Sequence, residues 1–238
     1  MSDRFAGVVI VAAGRGERFG DSAKVLAAAA GRPLLAWSLD AALAAETTRE
    51  IVIVCGQHTR AAVERIVSEL VADLPVSIQL GGVTRQDSVL TGVRALSEAC
   101  EIAVTHDAAR PLATPGLFDE VAVAARARGA VIAAAPVTDT IKEVDGDWIV
   151  RTIPRDHLRA AQTPQGFRRA LLLRAFAAAT DAAKSFTDEG GLLEWAGETV
   201  SVVPSTAANL KVTVPDDLVL ADALLRARLA DGAAHVSS

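Results

Sequence analysis

Residues 8–24, VVIVAAGRGERFGDSAK, join an apolar, strand-like run to a loop holding three glycines, Arg15, Arg18 and Lys24. Glycines let backbone N–H groups approach an anion closely. Arg18 and Lys24 add fixed positive charge. A loop leaving the carboxyl end of a first parallel strand sits where open α/β sheets bind ligands. Together these features ask for a polyphosphate; the competing reading is a surface loop whose basic side chains are merely solvated. Other nucleotide loops fit less well. A dinucleotide fingerprint needs G-x-G-x-x-G, and after Gly14 and Gly16 the next glycine, Gly20, comes one residue late. No Gly-Lys-Ser/Thr occurs for a P-loop, and no G-x-S-x-G for a hydrolase elbow.

The elements that must hold such a loop are legible in the hydrophobic pattern. Apolar runs at 7–12, 51–55, 76–80, 101–105 and 130–136 alternate with amphipathic stretches near 33–45, 59–72, 87–98 and 115–128. Near-continuous apolar strands separated by helices predict a mostly parallel, twisted sheet with helices on both faces, an α/β fold. Pro33 suits the first turn of its helix, and Thr59 and Thr114 suit N-caps. The alternation breaks at 137. There TDTIKEVDGDWIVRTIPR reads as two strands around Asp145-Gly146, a hairpin arm at about 137–158. A hairpin has no place in a parallel crossover pattern, so it should project. Its exposed Ile and Trp then need a cover, most simply a second subunit; the alternative is a hairpin folded back on its own domain. Helices near 168–179 and 188–196, a strand near 199–203 and a last helix from about 216 complete the chain.

The chain has 238 residues with no dividing linker and no repeat, and it reads as one domain over 1–238. No apolar run approaches the roughly 18–20 residues that span a bilayer. The N-terminal run is too short for a signal peptide, so a soluble cytoplasmic protein is expected. Cys55 and Cys100 lack C-x-x-C spacing and read as buried thiols. A net charge of −5 argues against a nucleic-acid surface and makes a local basic loop informative.

Beyond the loop stand GGVTRQDSV (81–89), HDAARP (106–111), DTIK (139–142), QTPQGF (162–167) and NLKVTVPDD (209–217). With the A-A-G-x-G-x-R…K opening, this ordered set resembles the 2-C-methyl-D-erythritol 4-phosphate cytidylyltransferase family, from about residue 7 to 227. The resemblance implies a Rossmann-like nucleotidyltransferase fold. It also implies transfer of CMP from CTP to a polyol phosphate by in-line attack on the α-phosphate, with pyrophosphate leaving. It assigns Arg18, Lys24 and Lys211 to catalysis on the triphosphate, and Ala12, Ala13, Gly14, Gly16, Gly81, Gly82, Ser88 and Ala108 to CTP binding. Arg110, Thr140, Arg155 and Thr163 go to the second substrate, and Asp107 to Mg²⁺. A homodimer is implied, in which the arm completes the neighbour's site.

Read alone, Asp107 also suits a turn cap, Ser88 a helix N-terminal position, and Lys211 an exposed strand end. His106 beside Asp107 reads as structural, because imidazole is a poor Mg²⁺ ligand. The chain departs from the family pattern at Ala23 and Val25, which flank the loop lysine where Pro and Gln are usual, and at Val83 after the Gly-Gly pair. Two rival functions use the same residues: a ribitol 5-phosphate cytidylyltransferase, and a non-catalytic nucleotide-binding protein on the same fold.

Overall fold

The computed structural model describes residues 4–14, 24–70 and 73–236. Its main sheet has seven strands: β1 (Ala6–Ala12), β4 (Thr48–Cys55), β5 (Val76–Leu80), β6 (Ile102–Asp107), β7 (Ala130–Pro136), β10 (Arg159–Arg168) and β11 (Ser201–Pro204). Their spatial order is β11-β7-β10-β6-β1-β4-β5. Every pairing is parallel except those of β10, which runs antiparallel to both β6 and β7. The two-residue strands β2 (Ala28–Ala29) and β3 (Arg32–Pro33) form a separate small ribbon.

Side chains alternate across the strands, and both faces are covered. Val8, Ile10 and Ala12 of β1 and Ile51 and Ile53 of β4 pack in one core with Leu35 and Leu39 of α1 (Leu34–Ala44) and Phe118 and Val121 of α4 (Pro115–Arg128). Toward the β5 edge of the same layer, α2 (Arg60–Glu69) adds Val63 and Ile66. Val9, Val52 and Val54 point the other way, toward Val89 and Val93 of α3 (Arg85–Ala95), Leu172 and Phe176 of α5 (Arg169–Asp181) and Leu192 of α6 (Glu189–Trp195). A third cluster seats the last helix, α7 (Pro215–Val236), through Ala221 and Leu225 on Ala29, Leu34, Leu112 and Val212. No helix among the described residues is long and apolar enough to cross a membrane.

The expected parallel strands and helices are present. Thr114 caps α4, accepting from the Leu117 N–H at 3.2 Å. Thr59 does not cap α2: a 3₁₀ turn over Gln57–Thr59 has already turned its backbone helical, and its hydroxyl donates to the Gly56 carbonyl at 3.0 Å.

The arm is β8 (Ile141–Asp145) paired antiparallel with β9 (Trp148–Ile153), a two-stranded sheet of its own, with Gly146 at φ +55° in the turn. It projects rather than folding back: Trp148 is 82% exposed, with Val144, Ile149 and Val150 all above half. Pro136 of β7 pairs with Arg159 of β10, so the arm is an insertion between two neighbouring strands.

The strand that hydrophobic patterning missed is β10. Its QTPQ stretch puts Gln162, Thr163 and Gln165, all buried, into the middle of the sheet. Pro164 lies where the pairing with β7 shifts register, the kind of position at which a strand tolerates proline. Each polar group there has partners. Gln165 holds the Asp188 carboxylate at 2.9 Å and the Gly190 N–H at 3.2 Å. Gln162 holds the Thr206 carbonyl at 3.0 Å and Asn209 Nδ2 at 3.1 Å.

At the seam of β6 and β10, the Thr163 hydroxyl accepts from the Asp107 N–H at 3.0 Å and lies 3.1 Å from His106 Nδ1. His106 Nε2 faces the Arg110 carbonyl at 3.3 Å, and the ring packs on Phe118. This network suits a neutral ring with its proton on Nε2. Burial pushes the His106 pKa down to about 4. The unfolded chain therefore takes up a proton between about pH 6.5 and 4 that the native ring refuses, and stability is lost as pH falls through that window. Between pH 7.5 and 5 urea denaturation should show about 2 kcal/mol of loss that a His106→Gln variant lacks. By NMR the native ring should stay neutral down to about pH 5; titration near 6.5 would contradict the assignment.

Candidate active site

The carboxyl ends of β1, β5 and β6 open onto a cleft of about 1010 Å³. Ala13 and Gly14 continue β1 into it, and Lys24 reaches it from the 3₁₀ turn Lys24–Leu26. Gly81, Gly82, Val83 and Thr84 follow β5, Asp107 ends β6 and Ala109 follows it, and Lys211 and Thr213 come from the segment before α7. Among the residues expected from sequence, Ala13, Gly14, Lys24, Gly81, Gly82, Ser88, Asp107 and Lys211 line this one space. Ala12 and Ala108 are buried and do not line it; Ala108 donates its N–H to the carbonyl of Val11, which does, at 3.1 Å. Gly16 and Arg18, with Ala23, lie outside the described residues.

One wall is nearly bare backbone. A Cβ on Gly81 would stand 2.4 Å from the Ala13 Cβ, and one on Gly82 2.4 Å from the Asp87 Cβ, so the turn closes only with glycine at both positions. Ser88 locks it: its hydroxyl donates to the Thr84 carbonyl at 2.9 Å and accepts from the Gly82 N–H at 3.2 Å. Thr84 and Asp87 form a reciprocal capping box that starts α3 at that point. A planar ring can lie close to such a wall.

The opposite side is charged. Asp107 ends β6 with a side chain only 10% exposed, and both of its oxygens are engaged. Lys211 Nζ stands 2.7 Å from Oδ2, and Arg85 Nη2 3.2 Å from Oδ1. Behind Arg85 lies Glu189, 2% exposed, with Oε1 2.6 Å from Arg85 Nη1 and Oε2 accepting from the Thr105 hydroxyl at 2.9 Å. Burial alone would raise the Asp107 pKa; Arg85, then Lys211, outweigh it and hold the carboxyl well below the usual carboxylate range. Burial likewise opposes the charge on Arg85, but Glu189 and Asp107 more than compensate and raise its pKa.

Lys211 is placed by its neighbours. The Val212 side chain is buried and its N–H donates to the Ala109 carbonyl at 2.8 Å. Asp217 accepts from the Thr213 and Val214 N–H groups at 2.7 and 2.9 Å at the entrance to α7. Arg85, Thr105 and Glu189 were not singled out in the sequence. Arg85 looks like a first-turn surface residue, and Glu189 lies 104 residues away from it; only the fold joins them.

Among the described residues, Asp107 is the one carboxylate lining the cleft, and no cluster of three or more metal-ligating side chains occurs. That donor set fits a hard cation carried in by phosphate oxygens and waters, not a caged resident metal.

The residues expected at the second substrate are not gathered in this cleft. Arg110 is 9% exposed, its Nη1 donating to the Asn209 carbonyl at 2.7 Å. Thr163 is 4% exposed at the β6–β10 seam. Thr140 and Arg155 are exposed at the base of the arm, where Arg155 donates to the Thr138 carbonyl.

The sequence model of the 2-C-methyl-D-erythritol 4-phosphate cytidylyltransferases matches residues 6–227. A protein of that description from Gloeobacter violaceus is 44% identical over 225 residues, covering 93% of this chain and 97% of its own. One from Parasynechococcus marenigrum is 45% identical over 226 residues, covering 94% and 99%. Among solved structures, the 4-diphosphocytidyl-2C-methyl-D-erythritol synthase of Anaerococcus prevotii superposes with a TM-score of 0.83 at 30% identity, covering 94% of this chain and 99% of that one. The cytidylyltransferase of Thermus thermophilus superposes with a TM-score of 0.74 at 33% identity, covering 92% and 98%. A match of this breadth takes in sheet, cleft and arm together, and the chain belongs to the 2-C-methyl-D-erythritol 4-phosphate cytidylyltransferase family.

Proposed function

We propose that the chain transfers the cytidylyl group of CTP to 2-C-methyl-D-erythritol 4-phosphate, releasing pyrophosphate. The observation that carries this reading is the convergence of Lys24, Lys211 and Asp107 on a cleft whose facing wall is the Gly81–Gly82 turn. Cytosine lies against that wall, read by main chain near Ala13, Gly14, Gly81 and Gly82 and by the Ser88 region. Lys24 serves the triphosphate and reaches the α-phosphate in the transition state, Lys211 acts as the second catalytic lysine, and the resemblance adds Arg18, which lies outside the described residues. A phosphate oxygen of the acceptor forms its bond to the α-phosphorus as the α–β bridging bond breaks, and pyrophosphate carries that electron pair away. Negative charge grows on the α-phosphate, so the residues' task is positioning and preorganised charge. Asp107 would hold Mg²⁺, which would neutralise phosphate charge; its Oδ2 is the oxygen that Lys211 contacts, at 2.7 Å.

The acceptor's own phosphate is held by arginine and hydroxyl groups. Arg110 and Thr163 support this pocket from beneath. Thr140 and Arg155 serve it across a dimer, each arm entering the neighbour's cleft. The exposed Trp148, Ile149 and Val150 favour that arrangement, because an apolar hairpin is a poor surface in water. Two free, buried cysteines are compatible with a reducing cytoplasm.

Pyrophosphate release with CTP and Mg²⁺ should require methylerythritol phosphate; release with ribitol 5-phosphate alone would transfer the same site to another polyol. Lys24→Ala should lower turnover by about 10²–10³, or about 3–4 kcal/mol; a fall below about fivefold at saturating substrate would remove it from the transition state. Replacing 138–157 by a tight turn joins strands that are already paired, and should leave a folded, inactive monomer in sedimentation. Full activity in that monomer would overturn the shared site.

A further inference from the structure

We propose that Glu189 and Arg85 are positioning residues for Asp107, reserving its Oδ2 for exchange between Lys211 and a divalent cation. The inference rests on the cation reading above and adds who keeps that oxygen available.

An arginine beside a carboxylate tends to grip both oxygens with its fork. Here the fork is already engaged. Nη1 and Nη2 of Arg85 face Oε1 and Oε2 of Glu189 at 2.6 and 3.3 Å. What remains for Asp107 is the side of the guanidinium: Nε at 3.4 Å and Nη2 at 3.2 Å, both on Oδ1. Oδ2 is left to Lys211 at 2.7 Å.

Glu189 is itself held. Thr105 donates to Oε2 from β6, two residues before Asp107 and on the same face of the strand. Asp188 caps α6 by accepting from the Gly191 N–H at 2.9 Å, and Gln165 of β10 grips Asp188 and Gly190 on either side of Glu189. The two partners of Asp107 are unequal, because the Arg85 side chain is 27% exposed and doubly anchored, whereas the Lys211 side chain is 40% exposed with phosphates as an alternative destination. Lys211 is therefore the partner that leaves when a cation arrives, and Glu189 prevents Arg85 from closing over the vacated oxygen.

The test is calorimetric binding of CTP with EDTA and with Mn²⁺, without turnover. The ratio of the two dissociation constants measures how strongly nucleotide and cation support each other. Glu189→Gln keeps the shape and one acceptor but frees the fork of Arg85 to take both oxygens of Asp107. Its ratio should fall at least about tenfold while CTP affinity in EDTA stays within about twofold. Should Glu189→Gln not fold, Thr105→Val removes the anchor of Glu189 and should lower the ratio by about threefold or more. A wild-type ratio in the folded Glu189→Gln protein, or in Thr105→Val in its place, overturns the proposal. Asp107→Asn separates the two levels. If it abolishes the coupling while the Glu189 variant does not, the cation reading stands and the positioning role falls. If it too keeps the coupling, the cation reading fails and the proposal with it.

Discussion

The architecture converges on one buried carboxylate. Asp107 stands at the end of the central strand β6, where leaving water is costly for a charge unless cations surround it. Arg85 and Lys211 supply that surrounding, one from α3 and one from the segment before α7. Distant parts of the chain are therefore tied together by a local electrostatic requirement, and the same charges that stabilise Asp107 face the cleft. Glu189 pairs with Arg85 from behind.

The antiparallel strand β10 makes this geometry possible. The nearby strands β1 and β4 present apolar side chains over Val8–Ala12 and Ile51–Cys55. The QTPQ stretch instead presents amides and a hydroxyl, and these reach sideways. Gln165 secures the turn that carries Glu189. Gln162 and the Thr163 carbonyl secure Asn209, two residues before Lys211, and Arg110 grips the Asn209 carbonyl as well. Thr163 fixes the backbone of Asp107. Buried polar groups in a sheet interior are costly unless paired, and here the pairing is what places both partners of Asp107.

The parallel half of the fold could be read from the sequence because burial on both faces writes long apolar runs, as IVIVC in β4 and VVIVA in β1 do. The arm was legible through Asp145-Gly146, since the turn needs a residue that accepts positive φ. Strand β10 was not, because Pro and Gly argue against a strand, a single Thr among polar neighbours is too little to outweigh them, and the reason for these residues is tertiary. The cleft followed the same division. Lys24, Asp107, Lys211 and the Gly81–Gly82 turn lie in motifs with a recognisable composition, whereas Arg85 and Glu189 gain their meaning only from a 2.6 Å contact across 104 residues. Arg110 and Thr163, expected at a ligand, are both buried: Arg110 donates from Nη1 to the Asn209 carbonyl while its Nε is left without a partner, and Thr163 accepts from the Asp107 N–H.

The most direct measurement is a crystal structure with CTP and Mg²⁺. It should show the triphosphate between Lys24 and Lys211, cytosine on the Gly81–Gly82 wall and the cation on Asp107 Oδ2. The Arg85–Glu189 pair should be unmoved, and Lys211 should have left Asp107 for phosphate. Lys211 still seated on Asp107, with the nucleotide bound away from that carboxylate, would contradict the account.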